Sequence, residues 1–164
     1  MTIDKKLIID ACLDKQNELI DGFKNRLEVM EADAFEQDHT PSQTENRTPG
    51  KIELLNAVGK ELDFAMREME FLKNLKTDES SIVEPGAVVV TDRMTFYICV
   101  SIEAFEVAGQ KLFGISTKAP IYASMRGLEK GASFSFNETK YEIKAIYSAV
   151  WHVARLLLVY KQMK

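Results

Sequence analysis

"IDACLDKQNELIDGFKNRLEVM", residues 9–30, decides how the front of this chain folds. Within it Ile9, Leu13, Gln16, Ile20, Phe23, Leu27 and Met30 follow at alternating steps of four and three, the 3.5-residue repeat of a coiled-coil seam. Gln16 is the only polar member. Leu55, Val58, Leu62, Ala65, Met69 and Leu72 repeat the pattern further on. Two seams of one period and similar length, joined by a single connector, predict an antiparallel helical hairpin. Each helix of about 25 residues would reach roughly 37 Å. Periodicity alone fits an intermolecular coiled coil or bundle equally well.

Between the seams lies "QDHTPSQTENRTPGK", residues 37–51, with almost nothing a core could use. Pro41, Pro49 and Gly50 forbid continuous helix there, and Thr48 with Pro49 forms a cap and first-turn pair for the second helix. Glu31, Asp33, Glu36, Asp38, Glu45 and Glu53 surround the connector, against Arg47 and Lys51, so the tip is acidic. A solvated connector is the ordinary reading of such a tract.

The acidity extends over the front half. Residues 1–79 carry 18 acids against 11 bases, whereas residues 80–164 carry 7 against 10, within a chain of 164 residues and net charge −4. That balance argues against a protein whose main task is neutralising nucleic-acid phosphates. Cys12 and Cys99 each sit in an apolar pattern without CxxC or Cys/His spacing, which predicts buried thiols and a reducing, cytoplasmic setting. The longest apolar tract is broken by His152 and Arg155, and the first residues lack an apolar run, so neither a membrane span nor a signal peptide is expected.

From Val83 the pattern changes to period two. "AVVVTD", "TFYICVS", "ASFSFN" and "KYEIKAIY" read as strands of a small, mainly antiparallel sheet. "APIYASMRGLEKG", with Pro120 near its start and Gly127 and Gly131 near its end, reads as a short helix across that sheet. The linker "KTDESSIVEPG" marks a boundary, giving a hairpin over 1–79 with its tip loop near 36–50, and a β-rich domain over 80–164. Val150, Val153, Leu157 and Tyr160 predict a closing amphipathic helix. The fold class is therefore α+β.

With two distant histidines, no motif around any serine or cysteine, and neither GxxxxGK[ST] nor GxGxxG, hydrolase triads, zinc sites and phosphate loops are not supported. Phe96, Tyr97, Phe134 and Phe136 alternate as core aromatics do. A nucleic-acid stacking platform is the lesser reading.

"FYICVSIEAF" and "ISTKAPIYASMRGLEKGASFSF" resemble the C-terminal domain of the bacterial Gre family of transcript-cleavage factors. Phe96, Ile98, Cys99, Glu103 and Ala104 match its first block, and Ile115, Ser116, Pro120, Ile121, Gly127 and Gly131 its second. "YEIKAIY" is similar to the closing strand of that family. Ala119, Ser124, Met125, Leu128 and Ala132 depart from the pattern. The resemblance implies an N-terminal coiled-coil hairpin before an FKBP-like domain, with RNA polymerase as partner. The domain would dock at the secondary channel, and the tip would reach toward the catalytic centre and the nascent RNA.

In that family two acids at the tip help hold a second Mg²⁺ that activates water for RNA cleavage. The segment carrying them is similar to "GKIELLN" here, where Lys51 and Leu54 stand at the acid positions. The resemblance thus implies a non-enzymatic elongation regulator without that chemistry and without a cofactor of its own. Its expected contact residues are Asp33, Glu36, Asp38, Lys51, Ser116, Pro120, Ile121 and Met125, and its expected state is a monomer or weak dimer. An alternative keeps cleavage stimulation through a Mg²⁺ shared with polymerase and gathered by Asp38, Glu45 and Glu53. A further alternative is an FKBP-like or coiled-coil interaction module.

Overall fold

The computed structural model describes residues 5–36, 49–75 and 80–147. The closing helix expected after residue 148, and most of the connector between the seams, lie outside them. The chain divides by packing into two compact units, Met1–Leu13 with Phe71–Lys164, and Asp14–Glu70. The division runs through both long helices.

Those helices are α1 (Lys5–Glu36) and α2 (Pro49–Lys73). In the unit of residues 14–70 they pair along the expected seam: Gln16, Ile20, Val58, Ala65 and Met69 are buried, and Phe23, Leu27, Met30, Leu55 and Leu62 are half-buried. The polar seam residue has a specific partner, because the Gln16 amide Nε2 donates to the Ala65 carbonyl at 2.9 Å. A buried amide left unbonded would lose about 1–3 kcal/mol, so this contact disfavours a sliding of one helix past the other.

The other unit is built on a six-stranded sheet in the order β3-β4-β2-β1-β6-β5. Its strands are β1 (Val88–Thr91), β2 (Thr95–Cys99), β3 (Ile102–Val107), β4 (Gln110–Ser116), β5 (Ser133–Phe136) and β6 (Thr139–Tyr147), and α3 (Pro120–Met125) lies between β4 and β5. All neighbouring pairs are antiparallel except β2 with β4, where Thr95 to Cys99 run parallel to Leu112 to Ser116. β3 and β4 are strands beyond the four expected from period-two patterning. They form a hairpin turning at Ala108 and Gly109, whose φ values are +51° and +76°.

Alternation along the strands sends side chains to two cores. On one face Val88, Tyr97, Cys99, Phe105 and Leu112 pack with Ile8, Cys12 and Leu72, so the first turns of α1 and the last of α2 complete this unit. On the other, Val89, Phe96, Ile98, Phe134 and Ile143 pack with Tyr122 and Met125 of α3. The Phe134 ring stacks on Tyr141 at 5.0 Å, and Phe96 meets Tyr141 edge-on at 6.1 Å. Phe96, Tyr97 and Phe134 are buried core aromatics, as the alternation predicts. Both cysteines are buried thiols on the first face.

Candidate functional site

The second matched block forms a strand, a turn and a short helix. β4 ends at Ser116, whose hydroxyl accepts the Lys118 N–H at 3.2 Å while its carbonyl accepts the Ala119 N–H at 2.9 Å. The chain is thereby turned into α3, which Ala119 enters with extended backbone and Pro120 begins, with no amide lost from the ladder. Arg126 closes the helix, donating its N–H to the Tyr122 carbonyl at 2.8 Å. Gly127 and Gly131 follow at φ +74° and +89°, a region where side-chain-bearing residues are strained. Gly127 N–H then bonds the Val83 carbonyl at 2.9 Å, and Gly131 N–H the Ile143 carbonyl at 2.8 Å. The two glycines let one loop tie itself to both the linker and β6.

This places the expected contact residues differently. Pro120 is exposed, and Ser116 and Ile121 are half-buried, so the start of α3 presents a small mixed surface. Met125 is a correction: it is fully buried in the core beneath α3, and a side chain without exposure offers nothing to a partner. Glu103 and Ala104 of the first block are exposed on β3, where the pairing with β4 shifts register. Phe96, Ile98 and Cys99 are core residues.

At the far ends of the long helices, Asp33 is exposed on α1, and Glu36 is its last residue. Lys51 is half-buried in α2, with Glu53 and Leu54 exposed beside it. Asp38 and Glu45 lie outside the described residues. Among the described residues no group of three or more His, Cys, Asp or Glu stands ready to hold a metal ion.

A shallow cleft of about 420 Å³ opens beside the β1–β2 turn, lined by Thr91, Arg93, Thr95, Gln110, Lys111 and Tyr147 among others. Its rim is braced by the strand across the turn: Arg93 Nε donates to the Lys140 carbonyl at 2.9 Å, and Asp92 accepts the Glu142 N–H at 2.8 Å. That backbone bond holds the Asp92 carboxyl below its ordinary pKa. Neither cation of this cleft stands out in the sequence, because they come together only through the pairing of β2 with β4.

Helical hairpin, then a mixed sheet carrying one short helix, defines an α+β protein with no helix among the described residues long and apolar enough to cross a membrane. Solved structures similar to it include two from Thermus. The GreA factor homolog 1 (Gfh1) protein of Thermus thermophilus shares 14% identity at a TM-score of 0.33, covering 83% of this chain and 94% of that one. Gfh1 of Thermus aquaticus shares 18% at 0.32, covering 82% and 93%. No family model and no curated protein matches the chain.

Proposed function

We propose that this protein is a Gre-like regulator of transcription elongation. It binds bacterial RNA polymerase at the secondary channel, in the cytoplasm, with the hairpin tip directed toward the active centre. The observation that carries the reading is the sequence block from Ile115 to Gly131 in company with the paired helices that precede it. That block folds as strand, proline-started helix and two left-handed glycines, an arrangement its residue types require. Ser116, Pro120 and Ile121 form the docking edge in this reading, and Asp33, Glu36, Asp38 and Lys51 belong to the tip.

The protein is not itself an enzyme in this proposal. Lys51 sets a cation, and Leu54 an apolar side chain, where carboxylate ligands would be needed, so Mg²⁺ is not recruited by an acidic pair. Purified bacterial core polymerase should retain the intact protein. Retention should fall at least ten-fold when Pro120→Ala is combined with Ile121→Asp, and when residues 37–48 are replaced by a short Gly/Ser linker. Absence of binding by the intact protein refutes the proposal. Backtracked complexes incubated with the protein and Mg²⁺ should show no added RNA shortening, and shortening would return Asp38, Glu45 and Glu53 to the role of shared ligands.

A further inference from the structure

In the unit of residues 14–70, the Gln16 to Ala65 bond marks one level of the antiparallel pair. Gly22 lies six residues after Gln16, and Gly59 six residues before Ala65. In two antiparallel helices of equal rise, they therefore stand at a common level, about 9 Å from that bond. Glycine inside a helix weakens it, because it releases the most conformational entropy on unfolding. A helix tolerates that when a neighbour needs the missing Cβ. Here none does: a Cβ built on either residue would have no atom within 4 Å apart from its chain neighbours and its own helix backbone. Both glycines sit off the seam, since Ile20, Phe23, Val58 and Leu62 fill it at this height.

A second observation points the same way. Among the described residues of this unit the buried ones are Gln16, Ile20, Val58, Ala65 and Met69, all on one side of the glycine level or within one residue of it. Beyond it, none of residues 23–33 or 50–57 is buried, and Val29, Ile52 and Leu54 are exposed. Among the described residues, the outer turns are therefore held by half-buried contacts such as Phe23, Leu27, Met30 and Leu55.

We propose that Gly22 and Gly59 form a flexible joint across the hairpin, dividing it into a base locked by Gln16 and an outer part free to change direction. Opening is easiest where both backbones are weak at once. A single glycine would be braced by its helical neighbour, whereas a matched pair leaves no brace. The outer part can then reorient on a partner while the base keeps its register. This holds whether or not the partner is a polymerase.

Amide hydrogen exchange of the full chain, resolved by residue, tests it. In the native protein, amides within a turn of residues 22 and 59 should exchange at least ten-fold faster than those beside Gln16 and Ala65. Gly22→Ala and Gly59→Ala should each slow exchange locally by about five-fold, the ratio that the glycine-to-alanine difference in helix propensity implies. Because open space surrounds both sites, neither change endangers folding. Adding Asn25→Gly and Asn56→Gly to the double-alanine variant, both exposed and one turn further out, should move the fast zone outward by that turn. Slowing spread evenly over the sheet as well, no fast zone in the native protein, or a zone that fails to move would each overturn the joint.

Discussion

Replacing Tyr97 by Phe should stabilise this protein. Tyr97 has no exposed surface, and among the described residues its hydroxyl has no hydrogen-bond partner in a core it shares with Cys12, Cys99, Ile8 and Leu72. Stripping water from a hydroxyl without replacement costs about 1–3 kcal/mol, and the ring's packing is unchanged by losing one oxygen. Allowing for the small void left, the gain should be about 1 kcal/mol, or roughly 2–4 °C in midpoint for a chain of this length. Urea unfolding should show a higher midpoint at an unchanged slope.

The pH dependence sharpens the test. Burial pushes the Tyr97 phenol well above its usual value, with Cys99 and Cys12 adding in the same direction. The folded state therefore keeps its proton after the unfolded chain has released it at about pH 10. Below that pH the native protein has its full stability, and above it alkali draws the chain toward the unfolded form by up to about 1.4 kcal/mol per pH unit. Tyr97→Phe lacks this contribution, so its advantage should widen from pH 10 upward. A variant less stable than the native protein at pH 7, or an advantage that narrows in alkali, would refute the claim that this hydroxyl is buried without a partner.

Gln16→Ala should lower stability by about 1–2 kcal/mol in the same urea assay, through lost contact and the lost bond to Ala65, while Gln16→Leu should recover most of it. Gly114→Ala should cost about 1–3 kcal/mol, since its Cβ would stand 2.7 Å from Ile102 Cβ and 2.8 Å from the Val100 carbonyl; circular dichroism melting would show it. Asp92→Asn concerns pH. The Asp92 carboxyl is held low by the Glu142 N–H, so its contribution is present above the ordinary aspartate pKa and lost as pH falls through the lowered one. The acid side of the stability profile, below about pH 4, should be flatter in the variant.

The hairpin was legible because burial against one neighbour imposes a period, and Gln16, Ile20, Val58, Ala65 and Met69 obey it. α3 was legible from Pro120 and the glycines beyond it. β3 and β4 escaped for physical reasons. Glu103 and Glu106 face solvent on an edge strand, which dilutes the apolar alternation, and their turn uses Ala108 in a left-handed conformation, where no Asn-Gly pair announces it. The parallel pairing of β2 with β4 depends on contacts that no local pattern encodes. In the block from Ile115 to Gly131, the start of a helix at Pro120 could be read from the sequence, but the burial of Met125 could not, because a methionine at that spacing suits a surface or a core equally. The Gln16 bond was hidden in another way. Its acceptor is a backbone carbonyl, which every residue carries.

Ile8 and Cys12 are buried against Val88, Tyr97 and Leu112, residues made far later. During synthesis, at about 5–20 residues per second, the start of the first helix must wait several seconds for the strands that will cover it. Until then an apolar patch with a thiol is open to chaperones or to another nascent chain. The long-range closure also makes the last folding step slow relative to helix formation. A gene fragment beginning at residue 80 would keep those strands but lack Ile8, Cys12 and Leu72 over them, and should yield aggregates where the intact chain yields monodisperse protein.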